Sequence, residues 1–288
     1  MTGPAPVDTR RGARSVIALR WPSTVAILLV AVVGVVGFTW PFLASPEFVT
    51  SHGNDTPWLF AVLLGLLCLV CLAEVSSGRL DPKTIAVLGV AAAAGGGMRV
   101  LSAGTAGLEP VFFVIIVAGR VLGPGVGFVS GSLALLTGAL LTGGVGPWLP
   151  YQMLCAGGVG LGAALLPVRA GSRVERWALA AYALGTGLLF GLVMNLWFWP
   201  FLGTGGASGM SFVPGASLTE NLHHYGLFYL ATSLGWDLPR GVLNAGLVLV
   251  AGPALLRVFR RAARRAAFGV LPEFGEAAPG AAKEGVRS

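Results

Sequence analysis

Apolar residues occur along this chain in eight segments, which are separated by short runs of glycine, proline and charged residues. A helix needs about 20 mostly apolar residues to cross the hydrocarbon core of a bilayer, and most of the segments approach or exceed that length. The pattern therefore predicts eight membrane-spanning helices, of which the fourth is short. Their ranges are 22–43, 57–75, 84–101, 109–122, 125–142, 150–167, 177–201 and 236–258.

The composition agrees with a membrane protein and excludes other classes of protein. Of the 288 residues, 55% are hydrophobic and 11% are charged, whereas a soluble domain has roughly 25% charged residues. A soluble globular domain is therefore excluded. The net charge of +7 is small and scattered along the chain, which argues against a nucleic-acid partner.

The distribution of basic residues predicts the topology. If the N-terminus is cytoplasmic, 17 of the 19 lysines and arginines flank the spans on the cytoplasmic side, and only Arg99 and Arg240 lie outside. The positive-inside rule then favours a multi-pass protein of the cell membrane with both termini in the cytoplasm. The first apolar segment is interpreted as a retained helix, because it is long and lacks a small-x-small cleavage site.

These segments predict an all-α polytopic membrane protein with two unequal parts. Residues 22–83 form two accessory helices after a cytoplasmic tail at 1–21, and residues 84–265 form a six-helix core. The tail at 266–288, rich in Pro, Gly, Ala and Glu, is expected to be disordered. A short apolar stretch at 226–235 is predicted to be an interfacial or re-entrant helix, or an extension of the last span.

Small residues dominate the third apolar segment, which contains Ala86, Gly89, Ala93 and Gly97 at helical spacing. Such positions let helix backbones approach closely, because no bulky side chain separates them. Packing within the chain and docking of another membrane subunit are both consistent with this pattern.

Polar and aromatic residues gather near the predicted outer ends of several spans. The charged ones are Arg99, Glu109, Asp237 and Arg240, which could form two ion pairs that fix the loop ends or could contact a ligand. The others include Trp148, Tyr151, Gln152, Asn195 and Trp197. An interfacial aromatic belt accounts for many such residues. Amides beside aromatic rings also suit a pocket for a flat ligand with polar edges.

Several kinds of site have no motif in this chain. There is no G-x-x-x-x-G-K-[ST] for ATP, no H-E-x-x-H or G-x-S-x-G, and no acidic cluster for a magnesium diphosphate. Cys68, Cys71 and Cys155 lie within predicted spans, where free cysteines behave as small buried hydrophobic residues. The adjacent pair His223 and His224 is a weak metal signal. We therefore expect no metal, no bound cofactor and no enzymatic activity.

Two segments carry a resemblance to a known family. The turn G-P-G-x-G-F at 123–128 and the segment G-P-W-x-P-x-Q-M at 146–153 occur in that order. The chain in this respect resembles the substrate-binding S components of energy-coupling factor (ECF) vitamin transporters, over residues 84–261. The two extra N-terminal helices and the arginine-rich C-terminus depart from the pattern of that family.

The resemblance implies a function in vitamin uptake. An S component is a six-helix protein that binds a vitamin from outside and joins a transmembrane coupling subunit and two cytoplasmic ATPase subunits. For such a receptor, the aromatic, amide and charged residues described above predict a substrate site at Arg99, Glu109, Trp148, Tyr151, Gln152, Asn195 and Trp197. The resemblance also implies a docking face at Ala86, Gly89, Ala93 and Gly97. The abundance of tryptophan favours a cobalamin-type or flavin substrate.

Two other classes of function stay open. The chain could be a membrane enzyme that acts on a lipid or isoprenoid through His223, His224 and Asp237. It could also be a scaffold without a ligand, whose function lies entirely in the small-residue face.

Overall fold

The computed structural model describes residues 21–43, 47, 62, 64–69, 82–102, 105, 107–201 and 209–267. Every regular element in these residues is helical. The helices are α1 (Trp21–Leu43), α2 (Pro82–Leu101), α3 (Val111–Leu122), α4 (Pro124–Thr142), α5 (Leu149–Leu165), α6 (Arg173–Asn195), α7 (Leu218–Thr232), α8 (Leu234–Val250) and α9 (Gly252–Ala267). A short 3₁₀ turn at Trp199–Phe201 follows α6.

Three of the described helices, α2, α4 and α6, are each long and apolar enough to cross a membrane. The pair α8 and α9 meets the same criterion jointly, although the two helices are bent by 67° at the break between them. Helices α3 and α5 are apolar but shorter. The protein is thus an all-α membrane protein with three or four candidate spans in the described part. The finer count of eight spans stays a prediction.

Helix α3 lies at the centre of the fold. Eleven of its twelve residues are buried, and only Arg120 at its C-terminal end is partly exposed. A helix that is apolar on all sides is stable only when neighbours surround it, and α2, α4, α5, α8 and α9 all pack against α3. The short fourth apolar segment of the sequence therefore corresponds to the central, buried helix of the fold.

Glycines allow α3, α4 and α5 to approach one another closely. A Cβ atom at Gly119 or Gly127 would overlap the backbone of Gly160. The turn between α3 and α4 depends on Gly123, which has φ +97° and precedes Pro124 at the first position of α4. The G-P-G-x-G-F turn thus joins two helices that pack side by side.

Small residues of α2 are divided between two faces. Gly95 and Gly96 are buried against α4, where added Cβ atoms would lie 2.7 Å from Ala134 Cβ and from Thr137 Cγ2. Ala86, Gly89 and Ala93 are exposed on the opposite side, and Gly97 is partly exposed. Apart from the neighbouring residues and backbone of α2 itself, no atom of the described residues lies within 4 Å of a Cβ added at Gly89 or Gly97.

The N-terminal helix α1 packs against α5. Phe38 contacts Tyr151 with ring centroids 4.8 Å apart, and a Cβ at Gly37 would lie 3.2 Å from the same tyrosine ring. The predicted second accessory helix at 57–75 lies mostly outside the described residues, in which 62 and 64–69 are helical.

The last two apolar stretches differ from the expected pattern. The stretch 226–235 is divided between the end of α7, which begins at Leu218, and the start of α8. The segment 236–258 is divided at Ala251, because Gly252 and Pro253 begin a new helix instead of extending α8. The apolar face of α9, with Leu256 and Phe259 buried, packs on α3.

Candidate functional site

A cavity of about 530 Å³ lies between the start of α5, the end of α6 and the start of α8. Its walls combine large aromatic rings with a few polar side chains, as ligand sites of small molecules usually do. The lining residues are Trp148, Gln152, Phe190, Gly191, Met194, Asn195, Trp197, Phe198, Ser233, Trp236, Asp237 and Arg240. We call this space the aromatic cavity.

The aromatic wall centres on Trp197. Its ring stacks on Tyr151 at a centroid distance of 6.1 Å and an interplanar angle of 20°, and it lies 6.3 Å from the ring of Trp148. Tyr151 is 3% exposed and sits behind Trp197, between that ring and Phe38 of α1. The wall therefore presents a flat surface that is supported from behind, which favours stacking of a planar ligand.

Two amides supply the polar part of the wall. The Oε1 atom of Gln152 accepts a hydrogen bond of 2.8 Å from Arg99 Nη2. The Nδ2 atom of Asn195 donates to Ser233 Oγ at 2.6 Å. Each amide keeps one polar atom without a hydrogen-bond partner among the described residues, and that atom is available to a ligand.

Charged residues form the end of the cavity beside α8. Arg240 donates through Nε to Glu109 Oε2 at 2.8 Å and also pairs with Asp237. Its guanidinium carbon lies 5.3 Å from the ring centroid of Phe190, a cation–π contact. One arginine thus binds both carboxylates, whereas the sequence allowed two separate ion pairs.

Asn244 of α8 fixes the position of the chain around Glu109 through hydrogen bonds to the backbone. It is fully buried, accepts from Phe113 N at 2.7 Å and donates to the carbonyl of Glu109 at 2.7 Å. These bonds add partners for backbone groups at the start of α3, where the amide of Phe113 otherwise has only the longer 3.2 Å bond to the carbonyl of Pro110. The position of Glu109 beside Arg240 is therefore determined by a side chain 135 residues further along the chain.

The cavity needs a residue without a side chain at Gly191. A Cβ atom there would overlap the carboxylate of Asp237. Gly187 lies one turn earlier in α6 and packs against Gly241 of α8. A Cβ atom added at Gly187 would lie 2.5 Å from the Cα atom of Gly241. This pair of close approaches brings α6 and α8 together beneath the cavity.

The structure brings the predicted substrate residues together. Four of them, Trp148, Gln152, Asn195 and Trp197, line the aromatic cavity directly. The other three are one contact away, because Tyr151 stacks on Trp197, Arg99 binds Gln152 and Glu109 pairs with Arg240.

Several lining residues were not identified from the sequence. They are Phe190, Gly191, Met194, Phe198 and Ser233. Apolar residues within a span give no signal that separates a cavity wall from a lipid-facing surface. The spacing of Gly187, Gly191 and Asn195 at every fourth residue is the one pattern that marks this face of α6.

A second aromatic cluster lies beside the cavity, around Trp199. Its ring packs on Phe212 and Tyr225, and its Nε1 donates to the carbonyl of Met210 at 2.8 Å. Burial raises the pKa of Tyr225, and burial together with the negative charge of Asp237 raises the pKa of Tyr229 to about 12. Both hydroxyls are therefore neutral hydrogen-bond donors at physiological pH.

The two histidines that were considered for metal or catalytic chemistry do not line the aromatic cavity. His223 is exposed, and His224 Nδ1 lies 3.0 Å from the carbonyl of Ser211. Among the described residues, no group of three His, Cys, Asp or Glu side chains could hold a metal ion. Cys68 and Cys155 are free thiols, and Cys71 lies outside the described residues.

Comparisons with known proteins give no relatives for this chain. No protein-family model matches it, and no match is found among curated proteins or solved structures.

Proposed function

We propose that this chain is the substrate-specific membrane subunit of an ECF-type ABC importer. It binds a vitamin or related cofactor precursor from outside in the aromatic cavity and releases it inward. The observation that supports this proposal most strongly is the convergence of Trp148, Gln152, Asn195 and Trp197 on one cavity. These residues come from segments more than 40 positions apart.

The shape of the cavity favours a planar ligand of moderate size. Trp197 offers a supported aromatic face, and Gln152 and Asn195 offer atoms for a polar ligand edge. A volume of about 530 Å³ is in the middle of the range for small-molecule sites. A flavin matches that volume better than a cobalamin-type ligand, which is several times larger.

The proposal includes energy from partner subunits. The chain has no ATP-binding motif, so a transmembrane coupling subunit and two cytoplasmic ATPase subunits supply the hydrolysis. The exposed face of α2 at Ala86, Gly89 and Ala93 is flat enough for close helix contact. We assign the docking of the coupling subunit to this face, together with Gly97.

In this proposal the chain has a six-helix substrate-binding core and two accessory N-terminal helices, with both termini in the cytoplasm of a cell-membrane protein. The contact of α1 with Tyr151 gives the first accessory helix a role in supporting the cavity wall. Helices α3 and α5 count as spans of the core despite their length, since neighbouring helices cover them.

The two other classes of function have less support. A lipid-modifying enzyme would need catalytic groups in a cavity, but His223 and His224 lie outside it and Asp237 is held by Arg240. A ligand-free scaffold would not need an aromatic wall with unpaired amide atoms.

Native mass spectrometry of the gently extracted full-length protein tests the proposal. We expect a retained small molecule of vitamin size, and co-purification of ATPase subunits from the native membrane. Neither a bound molecule nor an ATPase partner, together with no saturable binding across a panel of vitamins, would overturn it.

The docking face is tested separately from the cavity. Gly89→Leu combined with Gly97→Leu should keep ligand binding and abolish uptake in cells, since the bulky side chains prevent close approach of a partner helix. Gly158→Leu combined with Gly185→Leu is the matched control, because these glycines are also exposed with no described atom near the added Cβ. Equal loss of uptake in both pairs would contradict the assignment of the docking face.

A further inference from the structure

A second cavity, of about 470 Å³, lies at the opposite end of α6 from the aromatic cavity. The N-terminal turn of α6, the loop before it and one side of α9 enclose it. The lining residues are Gly171, Ser172, Arg173, Glu175, Arg176, Pro253, Leu256, Arg257 and Arg260. We call this space the arginine cavity.

The one carboxylate in its lining is already neutralised. Glu175 is 2% exposed and accepts hydrogen bonds from Arg120 Nε at 2.8 Å, Arg260 Nη2 at 2.7 Å and Gly171 N at 2.7 Å. This network joins α3, α6 and α9 and explains why Glu175 and Arg260 are present. It does not account for the other arginines of the cavity.

Three arginines of the lining have no carboxylate partner among the described residues. Arg173 and Arg257 are exposed at the rim, and Arg257 Nε donates only to the carbonyl of Pro253. The Nε atom of Arg176 is buried and has no hydrogen-bond partner in the described part of the chain. A buried guanidinium N–H normally has an acceptor, so this atom marks a missing one.

The positive-inside rule explains why arginines flank the spans but not why they enclose a cavity. Four guanidinium groups against a single carboxylate leave a lining with an excess of three positive charges. The N-terminus of α6, a helix of 23 residues, adds its partial positive charge at the same place.

We propose that the arginine cavity binds a phosphate monoester. Such a group carries nearly two negative charges and three acceptor oxygens, which can accept from Arg176 Nε and from the rim guanidinium groups together. Guanidinium groups match phosphate oxygens with paired N–H donors, and this geometry distinguishes phosphate from a single carboxylate. The phosphate belongs either to the headgroup of an anionic lipid or to a soluble molecule. The inference is independent of the proposed uptake function.

Binding to the full-length protein in neutral detergent tests this assignment. Native mass spectrometry measures binding of dioctanoyl phosphatidic acid, with dioctanoyl phosphatidylcholine as the zwitterionic comparison. Calorimetry measures binding of inorganic phosphate. Phosphatidic acid alone identifies a lipid headgroup as the source, and inorganic phosphate as well identifies a soluble source. Both results support the phosphate site.

Matched variants separate the cavity from the general basic charge of the protein. Arg173→Gln combined with Arg257→Gln changes two exposed residues without ion pairs in the described structure, so the fold should be retained. It should weaken binding of the phosphate probe about tenfold or more. Arg261→Gln combined with Arg264→Gln removes the same charge from exposed positions of α9 outside the cavity, and binding should stay within about twofold.

Arg176→Gln should weaken binding further, and a thermal melt of this variant shows whether it is folded. The proposal is overturned if the two arginine pairs weaken binding equally, because general charge would then explain the result. It is also overturned if neither phosphate probe binds, or if an oligoglutamate peptide binds more tightly than both, since that would indicate an acidic protein partner.

Discussion

The two cavities at the ends of α6 differ in whether their charged side chains have partners of opposite charge. They are roughly 30 Å apart, since α6 has 23 residues and a helix rises about 1.5 Å per residue. In the aromatic cavity, Arg240 pairs with two carboxylates and Arg99 donates a hydrogen bond to an amide. In the arginine cavity, one carboxylate faces four guanidinium groups.

This difference determines what each cavity can recognise. In the aromatic cavity Arg240 binds both carboxylates, so that flat rings, a few amide atoms and the buried Oδ2 of Asp237, which has no hydrogen-bond partner among the described residues, remain for a ligand. The arginine cavity keeps positive charge that no carboxylate of the described residues pairs with, and an anionic ligand can provide the missing negative charge. One helix therefore connects a site suited to a neutral planar molecule with a site suited to phosphate.

Glu175→Ala should have the largest effect on the fold. It removes the partner of Arg120, whose side chain is 7% exposed, and leaves a buried charge without a counterion. The free energy of unfolding should fall by about 3–5 kcal/mol, measured by denaturation of the detergent-solubilised protein.

The control for this variant is Glu220→Ala, which removes an exposed carboxylate near the start of α7. It should change the free energy by less than about 0.5 kcal/mol. Similar values for the two variants would show that the buried ion pairs of Glu175 do not stabilise the fold.

Gly191→Ala should have the next largest effect, at the aromatic end. The added methyl group overlaps the Asp237 carboxylate and forces it away from Arg240. Ligand affinity should fall about tenfold or more, as expected when a buried charged hydrogen bond is lost, and a binding titration measures it. Gly185→Ala, on the same helix with no described atom near the new Cβ, should bind like the wild type, and a matching loss there would refute the role of Gly191.

The salt dependence of ligand binding should also differ between the two cavities, and this effect is smaller than those of the two variants above. Raising the ionic strength shortens the screening distance, so phosphate binding at the arginine cavity should weaken severalfold. Ligand binding in the aromatic cavity should change little, because its charges are paired internally. Parallel binding titrations in low and high salt test this difference. An equal change of affinity with salt at both cavities would contradict the proposed difference in charge pairing.

The smallest effect concerns pH and the hydroxyl of Tyr229 on α7. Folding raises the pKa of Tyr229 to about 12, so its neutral form is favoured in the folded state. The associated stability is complete below the usual tyrosine pKa of about 10 and is lost as pH rises towards 12. Melting temperature should therefore fall above about pH 10, and Tyr229→Phe should reduce that fall. An unchanged pH profile in the variant would contradict this assignment.

Much of the helical organisation could be predicted from the sequence, because long apolar segments have few alternatives in a bilayer. The division of the last segment into α8 and α9 could not. Proline is unfavourable inside a helix but favourable at its first turn. The sequence Gly252-Pro253 is therefore compatible both with a kinked helix and with a new one, and only packing of α9 on α3 decides between them.

The candidate site was predictable where its residues are polar or aromatic and lie at the ends of spans. Gln152 and Asn195 stand out in an apolar chain, whereas Phe190 and Met194 do not. Ion pairs among Arg99, Glu109, Asp237 and Arg240 were foreseen, but the choice of partners was not: Arg240 binds both carboxylates, one of them 131 positions away. Glu175 was missed for a similar reason, since its arginine partners come from α3 and α9 and appeared in the sequence only as flanking charges.

The proposed vitamin site in the aromatic cavity is tested most directly by comparing two tryptophan variants for retained ligand by native mass spectrometry. Trp197, two residues after the C-terminal end of α6, forms the stacked wall of the aromatic cavity, whereas Trp177 lies near the N-terminal end of α6 and is 59% exposed. We expect a bound vitamin-sized molecule in the wild type and in Trp177→Ala, and loss of most of it in Trp197→Ala. Equal retention in both variants, or no retained molecule in the wild type, would contradict the claim.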